Sequence, residues 1–250
     1  MSNELDILLP AFLAGLLVLA THIPFGMRIL QRGVIFADLA VAQIAGLGVM
    51  AGELLGLLGQ PVLVQLIAAG GALIGAALLA SIERSAPEMK EAFIGLTFVL
   101  AASLGILLLA RDVHAGEHLQ DLLAGQILWV GDTQLLATAV LTAVLLALWH
   151  SLRERLGDLG FYALFALAVT ASVQLVGIYL VFASLIVPAL ATHKYRNRHL
   201  LAFAIGIAGY MLGLLLSVWL DLPAGATIVW TLALTGTVTL LRMPGNGNQI

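Results

Sequence analysis

Cysteine is absent from this sequence, and charged side chains are scarce. Without cysteine among its 250 residues, the chain has no means of forming a disulfide or a thiolate metal site. Only 10% of the residues are charged, whereas soluble domains have about 25%. The net charge of -3 excludes a nucleic-acid-binding protein with a broad basic face. The first ten residues are acidic rather than basic, so we expect no cleaved signal peptide.

Long apolar runs take the place of the missing charge. Hydrophobic residues make up 61% of the chain, and its mean hydropathy is +1.07. A soluble globule of this size would have too little polar surface to cover such a composition. A run of about 20 apolar residues is long enough to cross the hydrocarbon core of a bilayer. We therefore predict an all-α polytopic membrane protein with about nine transmembrane helices.

The nine predicted segments differ in how clearly they are bounded. The sixth and seventh come from one apolar stretch that we divide near Gly177. A transmembrane permease domain is predicted over residues 1–243, followed by a flexible polar tail over residues 244–250. The predicted segments are Leu5–Thr21, Val34–Leu58, Val62–Ile82, Phe93–Ala110, Ile127–Trp149, Phe161–Gln174, Val176–Ala191, Leu200–Leu220 and Ala224–Leu241.

The distribution of basic residues predicts the orientation of these helices. With the N-terminus outside, ten of the eleven lysines and arginines fall on one side, and Arg111 is the exception. Basic residues concentrate in cytoplasmic loops, so we predict an external N-terminus and a cytoplasmic C-terminus. This prediction depends on the division at Gly177, because fusing the two segments would invert every helix after it. The bias favours the division.

One predicted span contains an ionisable side chain. The segment Gln31–Gly48 begins near Arg28 and Arg32, which we place on a short polar turn, and then carries Asp38 and Gln43 among apolar residues. A carboxylate within a span is costly and usually faces a bundle interior or a water-filled path. Asp38 is therefore our first candidate for a metal ligand in a translocation path. The alternatives are a structural hydrogen bond to a neighbouring helix and a position at the membrane interface.

A second candidate site lies in the predicted external loop Arg111–Asp121. His114, Glu117 and His118 fit the H-x-x-E-H pattern of inverted zinc peptidases. In such an enzyme the histidines would bind zinc and the glutamate would act as general base. The same residues are also consistent with an outer metal-collecting or docking loop, or with a solvated polar loop.

Two further stretches bear on how the chain would contact a partner and how one of its helices would bend. The predicted cytoplasmic connection SLRERLGDLG, residues 151–160, contains Arg153, Glu154 and Arg155, which are candidates for contacting a soluble partner. A solvated charged loop is equally consistent with it. In the stretch that ends at Thr192, Pro188 permits a bend, either in a packing helix or in a gate.

Three stretches resemble the permease subunits of zinc and manganese ABC importers. FGMRILQRGVIFADLAVAQIAGLGV, residues 25–49, is similar to that family's opening pattern PxGxxxxxRRxxxxGDxxxHxxxxGV. DLLAGQILWV, residues 121–130, resembles its LxFGxIL segment, and VGIYLVFASLIVPALAT, residues 176–192, resembles VGxLLVxALLIxPAATA. Together with the number of predicted spans, the resemblance covers nearly the whole chain.

This resemblance implies a function and a set of partners. It implies a bacterial inner-membrane permease that is not itself an enzyme and receives zinc or manganese from an external metal-binding protein. A cytoplasmic ABC ATPase and a second permease copy, in a homodimer, would complete the importer within the lipid bilayer. The metal would be cargo, with no tightly bound cofactor and no nucleic-acid partner.

The sequence departs from the family pattern at two places. The family's acid and histidine are four residues apart, whereas Gln43 stands five residues after Asp38. Carboxamide oxygen suits manganese better than zinc. The family's DPExARxxG segment, which engages the ATPase, is replaced here by SLRERLGDLG. Two alternatives stay open: a membrane zinc peptidase that uses the HAGEH motif and an ion-coupled secondary metal transporter.

Overall fold

The computed structural model describes residues 2–57, 59–110, 123–152, 155 and 157–242. Within these ranges the chain is all-helical and has no β-strand, which confirms the predicted fold class. A short 3-10 turn, Ile127–Trp129, precedes the fifth α-helix. The helices of the described part are α1 Ser2–Arg32, α2 Ala37–Leu54, α3 Pro61–Ser85, α4 Lys90–Leu109, α5 Asp132–Leu152, α6 Asp158–Val176, α7 Ile178–Thr192, α8 Arg198–Leu220 and α9 Ala224–Leu241.

The division of the long apolar stretch at Gly177 is confirmed. Gly177 has a φ of 79° and a ψ of 163°, and it separates α6 from α7. Only glycine adopts this region of backbone conformation readily. The adjacent helices are longer than the predicted segments at their other ends, because polar residues such as Asp158 also form helical turns there.

The predicted polar turn at Arg28 and Arg32 is wrong. Both residues belong to α1, which continues through Pro24 to Arg32. Membrane helices tolerate proline where neighbouring elements hold the chain in place. Immediately after Pro24, the buried ring of Phe25 makes edge contacts with Trp149 at 5.4 Å and Phe161 at 6.0 Å between centroids. These contacts favour continuation of the helix where the sequence suggested that it would end.

The chain is a multi-pass membrane protein. Seven of the described helices are long and apolar enough to cross a membrane, and α2 and α7 provide shorter apolar helices, Ala37–Gly52 and Ile178–Thr192. Helix α6 is central, because 72% of its span is buried within the chain, compared with 17% for α5. Many large apolar side chains on the outer helices, such as Leu107 and Leu136, are exposed. Such surfaces suit contact with lipid.

Charged residues at several helix ends follow the direction of the helix dipole. Arg32 and Arg84 lie in the last turns of α1 and α3, whereas Glu91 and Asp158 lie in the first turns of α4 and α6. Cations are stabilised at helix C-termini and anions at helix N-termini. Because these four helix ends contact one another, the dipoles bring residues of opposite charge together at one end of the bundle. We call this end of the bundle, at residues 32–36, 83–91, 155, 157 and 158, the charged end.

The three stretches that carry the sequence resemblance also pack against one another. Gly26 in the first stretch lies against the backbone carbonyl of Leu185 in the third. Gly125 in the second stretch lies against the backbone at Val176 and Gly177. At each contact a Cβ atom would collide with backbone, so only glycine permits these approaches. The stretches are therefore parts of one packed unit around α1, α6 and α7.

Candidate functional site

A large cavity opens between α2, α3, α5 and α6, at the end of the bundle opposite the charged end. Its volume is about 1020 Å³. The wall is formed by the C-terminal half of α2, the N-terminal turns of α3 and α5, the last turns of α6 and the segment Gly125–Val130. We call this cavity the chamber. In the orientation predicted from the basic residues, the chamber would face outside.

The polar lining of the chamber consists of neutral side chains. Four carboxamides and three hydroxyls line it, and no carboxylate, imidazole or amine is among the described residues of the wall. Carboxamide and hydroxyl oxygens accept hydrogen bonds from water or coordinate hard cations weakly. The chamber thus offers many weak contacts and no strong one for a cation. The polar residues are Gln65, Gln126, Thr133, Gln134, Thr138, Thr170 and Gln174.

Helix α2 connects the chamber wall with Asp38. Ala45 and Val49 line the chamber, and they follow Asp38 by seven and eleven residues. At 3.6 residues per turn these spacings place all three residues within about 20° of one face of the helix. Asp38 lies about 10 Å from Ala45 along the helix axis, at a rise of 1.5 Å per residue. Asp38 therefore lies on the face of α2 that forms the chamber wall, about two helical turns nearer the charged end.

Asp38 is fully buried in the first turn of α2. Neither carboxylate oxygen has a hydrogen-bond partner within the described part of the chain. No described cation forms an ion pair with it. A buried and unpaired carboxylate costs several kcal/mol, and the position at a helix N-terminus offsets about 0.3–1 kcal/mol of that cost. This side chain is therefore poised to gain a proton or a cation.

Gln43 lies on the same helix, near the edge of the chamber face. It is 8% exposed, and it precedes the lining residue Gly46 by three residues. The helix is continuous from Ala37 to Leu54, so the glycines at positions 46 and 48 do not interrupt it. Asp38 and Gln43 consequently point about 140° apart and do not form a ligand pair on one face. Gln43 could offer its carboxamide oxygen to a cation only from the side of the chamber.

The remaining candidate residues fall largely outside the described ranges. This applies to His114, Glu117 and His118 of the HAGEH motif, to Arg153 and Glu154, and to the predicted tail at residues 244–250. Arg155 is described, and it is exposed in a turn just before α6, as a partner-contact residue must be. Among the described residues, no group of three or more histidine and acidic side chains could hold a metal ion.

Sequence reasoning missed a network around Arg32 at the charged end. The Nη1 atom of Arg32 lies 2.7 Å from Glu83 Oε2, and its Nη2 atom lies 3.0 Å from Asp158 Oδ1. Its guanidinium also stacks over the ring of Phe161, with 4.6 Å between Cζ and the ring centroid. Glu83 and Asp158 are remote from Arg32 in the sequence. The sequence did contain one signal for this network: basic residues stand at helix C-termini and acidic residues at helix N-termini, as the helix dipole favours.

Sequence reasoning also missed a buried histidine in α1. His22 is fully buried, and its Nδ1 lies 2.9 Å from the carbonyl oxygen of Val18, so Nδ1 donates and Nε2 carries the free lone pair. Its helical position lies between Gly15, which packs on Tyr210, and Gly26, which packs on Leu185. His22 therefore faces α7 and α8 and does not line the chamber.

Taken together, the geometry suits passage of a cation rather than its tight retention. The chamber provides room and weak neutral ligands, and the α2 face leads from it to one buried carboxylate. Conduction across a membrane requires sites that bind well enough to admit an ion and weakly enough to release it. A single carboxylate with weak companions meets that requirement better than a saturated set of ligands would.

Comparison with known proteins yields a family match over nearly the whole chain. The model of the ABC 3 transport family matches residues 4–157 and 146–242. Two relatives from Haemophilus influenzae are each named a probable iron transport system membrane protein. One is 27% identical over 188 residues, which are 66% of this chain and 66% of the relative. The other is 26% identical over 163 residues, which are 56% of this chain and 60% of the relative.

A solved structure shares the fold. The structure is that of PsaBC from Streptococcus pneumoniae in complex with Fab, and it matches with a TM-score of 0.75 and 24% sequence identity. The match covers 95% of this chain and 91% of the other. By contrast, the matches with the two Haemophilus relatives cover 66% and 60% of their lengths, which is less than two thirds in both cases.

Proposed function

Because this chain belongs to the ABC 3 transport family, we propose that it is the permease subunit of an ATP-driven importer of a divalent metal ion, zinc or manganese. The observation that carries the proposal is the face of α2 that joins the chamber to the unpaired carboxylate of Asp38. The metal enters the chamber from an external binding protein, meets neutral oxygen ligands, and reaches Asp38. Among the residues that the structure describes, Asp38 is the first charged side chain on this route.

We propose that this chain works in an assembly, because a permease subunit of an ABC importer does not hydrolyse ATP itself. A transport subunit of an ABC system needs a separate cytoplasmic ATPase, and a second copy of the permease would complete the core. We place the importer in the bacterial inner membrane, with the charged end on the cytoplasmic side. Ten of the eleven lysines and arginines fall on that side in the predicted arrangement of spans, and this distribution supports the orientation.

The ligands on α2 favour a hard cation. Carboxylate and carboxamide oxygens suit manganese, whereas zinc favours imidazole or thiolate ligands. The position four residues after Asp38, where the family has an imidazole that would strengthen zinc binding, is Ala42 here, and Gln43 follows it. The names of the Haemophilus relatives add iron as a third metal that an experiment must include. Manganese is therefore our first choice of cargo.

Metal uptake by cells tests this function. We would delete the gene for this chain, restore it on a plasmid, and measure the uptake of radiolabelled manganese, zinc and ferrous iron after metal starvation. Restoration of uptake of one of the first two metals supports the proposal, and uptake of iron alone would correct the cargo. If the restored strain takes up none of the three metals, the proposed function is wrong.

The neutral chamber predicts a specific electrostatic effect. Gln65 lines the chamber, so Gln65→Lys places a positive charge on the route of a divalent cation. At separations of about 6–8 Å and an effective dielectric constant of about 40, the repulsion is about 2 kcal/mol. We expect metal uptake at low ionic strength to fall about tenfold or more, and to recover partly as salt is added.

Gln60→Lys is the matched control for this prediction. Gln60 is exposed, lies immediately before α3, and is not among the residues that line the chamber. Both variants must reach the membrane at equal levels. Equal uptake by the two lysine variants would show that the chamber is not on the route of the metal.

A further inference from the structure

The connection before α6 is tied directly to the turn that precedes Asp38. Asp158, in the first turn of α6, pairs with Arg32 at 3.0 Å, and Arg32 is the last residue of α1. Four residues, Gly33 to Phe36, separate Arg32 from α2. A displacement of the start of α6 therefore reaches the N-terminus of α2 through one side-chain contact and a short turn.

The contacts of Arg32 are stiff enough to transmit such a displacement. Its side chain is 13% exposed and lies between two acids, with Glu83 of α3 as the second partner at 2.7 Å. The planar guanidinium also lies over Phe161, one helical turn after Asp158, and contacts the ring of Tyr162. Pairing of its two terminal nitrogens with two separate carboxylates, together with stacking, fixes the arginine side chain in both position and orientation, which a lysine would not reproduce.

The α1–α2 turn is fixed from its other side by α4. Lys90 donates a hydrogen bond from Nζ to the carbonyl oxygen of Arg32, and the backbone N–H of Ile35 donates to the carboxylate of Glu91. The turn also closes on itself through Val34 N–H to Ile29 O at 3.3 Å, with Gly33 at a φ of 63°. The turn is thus held between α4 and the Arg32 network and moves with them.

The ion pair between Arg84 and Asp158 adds little to this link. Its Nε–Oδ2 distance is 3.7 Å, and Arg84 and Asp158 are 63% and 40% exposed. Exposed pairs of this kind are screened by solvent and hold side chains weakly. In the contact with Arg32, the same carboxylate meets a guanidinium that is only 13% exposed and lies 3.0 Å away, so this contact is the one that connects Asp158 to the interior.

We infer that Arg32 and Asp158 form a coupling contact that conveys movement of the connection before α6, at Arg155, to the first turn of α2 and so to Asp38. Arg32 is a positioning residue in this scheme and does not touch the metal. This inference rests on the proposed function, because the movement is attributed to an ATPase bound at the charged end. It adds the route by which ATP hydrolysis changes the metal site.

The route has a defined thermodynamic requirement. Two sites are coupled only if the element between them has two arrangements that both sites can bias. In the proposed scheme the start of α6 and the α1–α2 turn form this element. They are joined through the Arg32 contacts, and four residues separate Arg32 from α2. Loss of the Asp158 partner leaves Glu83 and Phe161 to hold Arg32, so the side chain stays in place while its ion pair with the first turn of α6 is lost. Only the stacking on Phe161 then still joins Arg32 to that helix.

The test compares transport with ATP hydrolysis in the assembled importer. We would reconstitute the complex in proteoliposomes with its ATPase and its binding protein, and measure radiolabelled manganese taken up per ATP hydrolysed. Asp158→Asn removes the ion pair, and Asp158→Glu retains the charge. We expect the ratio to fall by a factor between about 5 and 150 in Asp158→Asn, the usual range of coupling between sites, and to recover at least partly in Asp158→Glu.

Asp132→Asn controls for a merely structural effect. Asp132 also lies in the first turn of a helix, α5, and forms no ion pair among the residues that the structure describes. Both asparagine variants lose the same favourable charge at a helix N-terminus, so both share any loss of thermal stability. Only Asp158→Asn should lower the ratio of uptake to ATP hydrolysis.

Two failures are distinguishable in this experiment. If the wild-type complex hydrolyses ATP and takes up manganese, while Asp158→Asn keeps the wild-type ratio, the coupling contact is wrong and the proposed function stands. The same conclusion follows if Asp132→Asn lowers the ratio equally. If the wild-type complex takes up no manganese, zinc or iron, the proposed function fails and the coupling inference fails with it.

Discussion

Replacing Asp38 by asparagine is expected to abolish most metal uptake without destabilising the protein. A charge-assisted ligand contributes about 1.5–3 kcal/mol, so we expect uptake to fall by about 10-fold to 100-fold. The amide has nearly the shape of the carboxylate and removes a buried, unpaired acid, so the midpoint of thermal unfolding should stay the same or rise. Measuring metal uptake in cells checks the expected loss of transport, and thermal unfolding of the purified chain checks the expected stability.

This combination separates a transport role from a structural one. If the Asp38 carboxylate instead accepted structural hydrogen bonds, its replacement by an amide would lower the stability of the protein together with metal uptake. Asp221→Asn is the matched control, because Asp221 is an exposed acid after α8 at a φ of 52°, where asparagine is tolerated. If Asp38→Asn takes up metal as well as Asp221→Asn does, Asp38 is not on the route of the metal.

Replacing Gly177 by alanine is expected to damage the fold severely. The backbone at Gly177 lies in a region that side chains rarely adopt, and an added Cβ would meet the backbone of Ala124 and Gly125. Backbone strain of about 1–3 kcal/mol and overpacking of about 1–3 kcal/mol add in the same direction. We expect a large fall in the amount of folded protein extracted from membranes and in its unfolding temperature.

Gly70→Ala provides the control for this change. Gly70 lies within α3, and an added Cβ there would meet no atom within 4 Å. Alanine favours the helix by about 0.5–1 kcal/mol over glycine, so this variant should be as stable as the wild type or slightly more stable. A Gly177→Ala protein that unfolds at the wild-type temperature would contradict the close approach between Gly125 and Gly177.

The sequence was sufficient to predict the long helices that the structure describes, and their order, because lipid leaves the backbone few alternatives. Apolar runs of span length must satisfy their backbone hydrogen bonds internally, so each run predicts one helix. The bias of basic residues then required a division near Gly177, and the structure has that division at Gly177 itself. Helix ends were less predictable, since the extension of α1 past Pro24 depends on contacts of Phe25 with distant helices.

The candidate site was predictable only in part. Asp38 was found because a charge within an apolar span is conspicuous by itself. The chamber was not found, because Gln65, Gln134 and Gln174 lie on three different helices and each reads as an ordinary polar residue. The Arg32 network was missed for the same reason, since its partners Glu83 and Asp158 are brought together only by packing of α3 and α6.

The most direct test of the central claim is ATP-dependent metal uptake by reconstituted proteoliposomes. The chain would be reconstituted alone, and with its ATPase and binding protein, and the uptake of radiolabelled manganese and zinc would be followed with and without ATP. The proposed function predicts uptake only in the complete assembly with ATP. Uptake by the chain alone, driven by an imposed ion gradient and independent of ATP, would contradict it and would identify a secondary transporter instead.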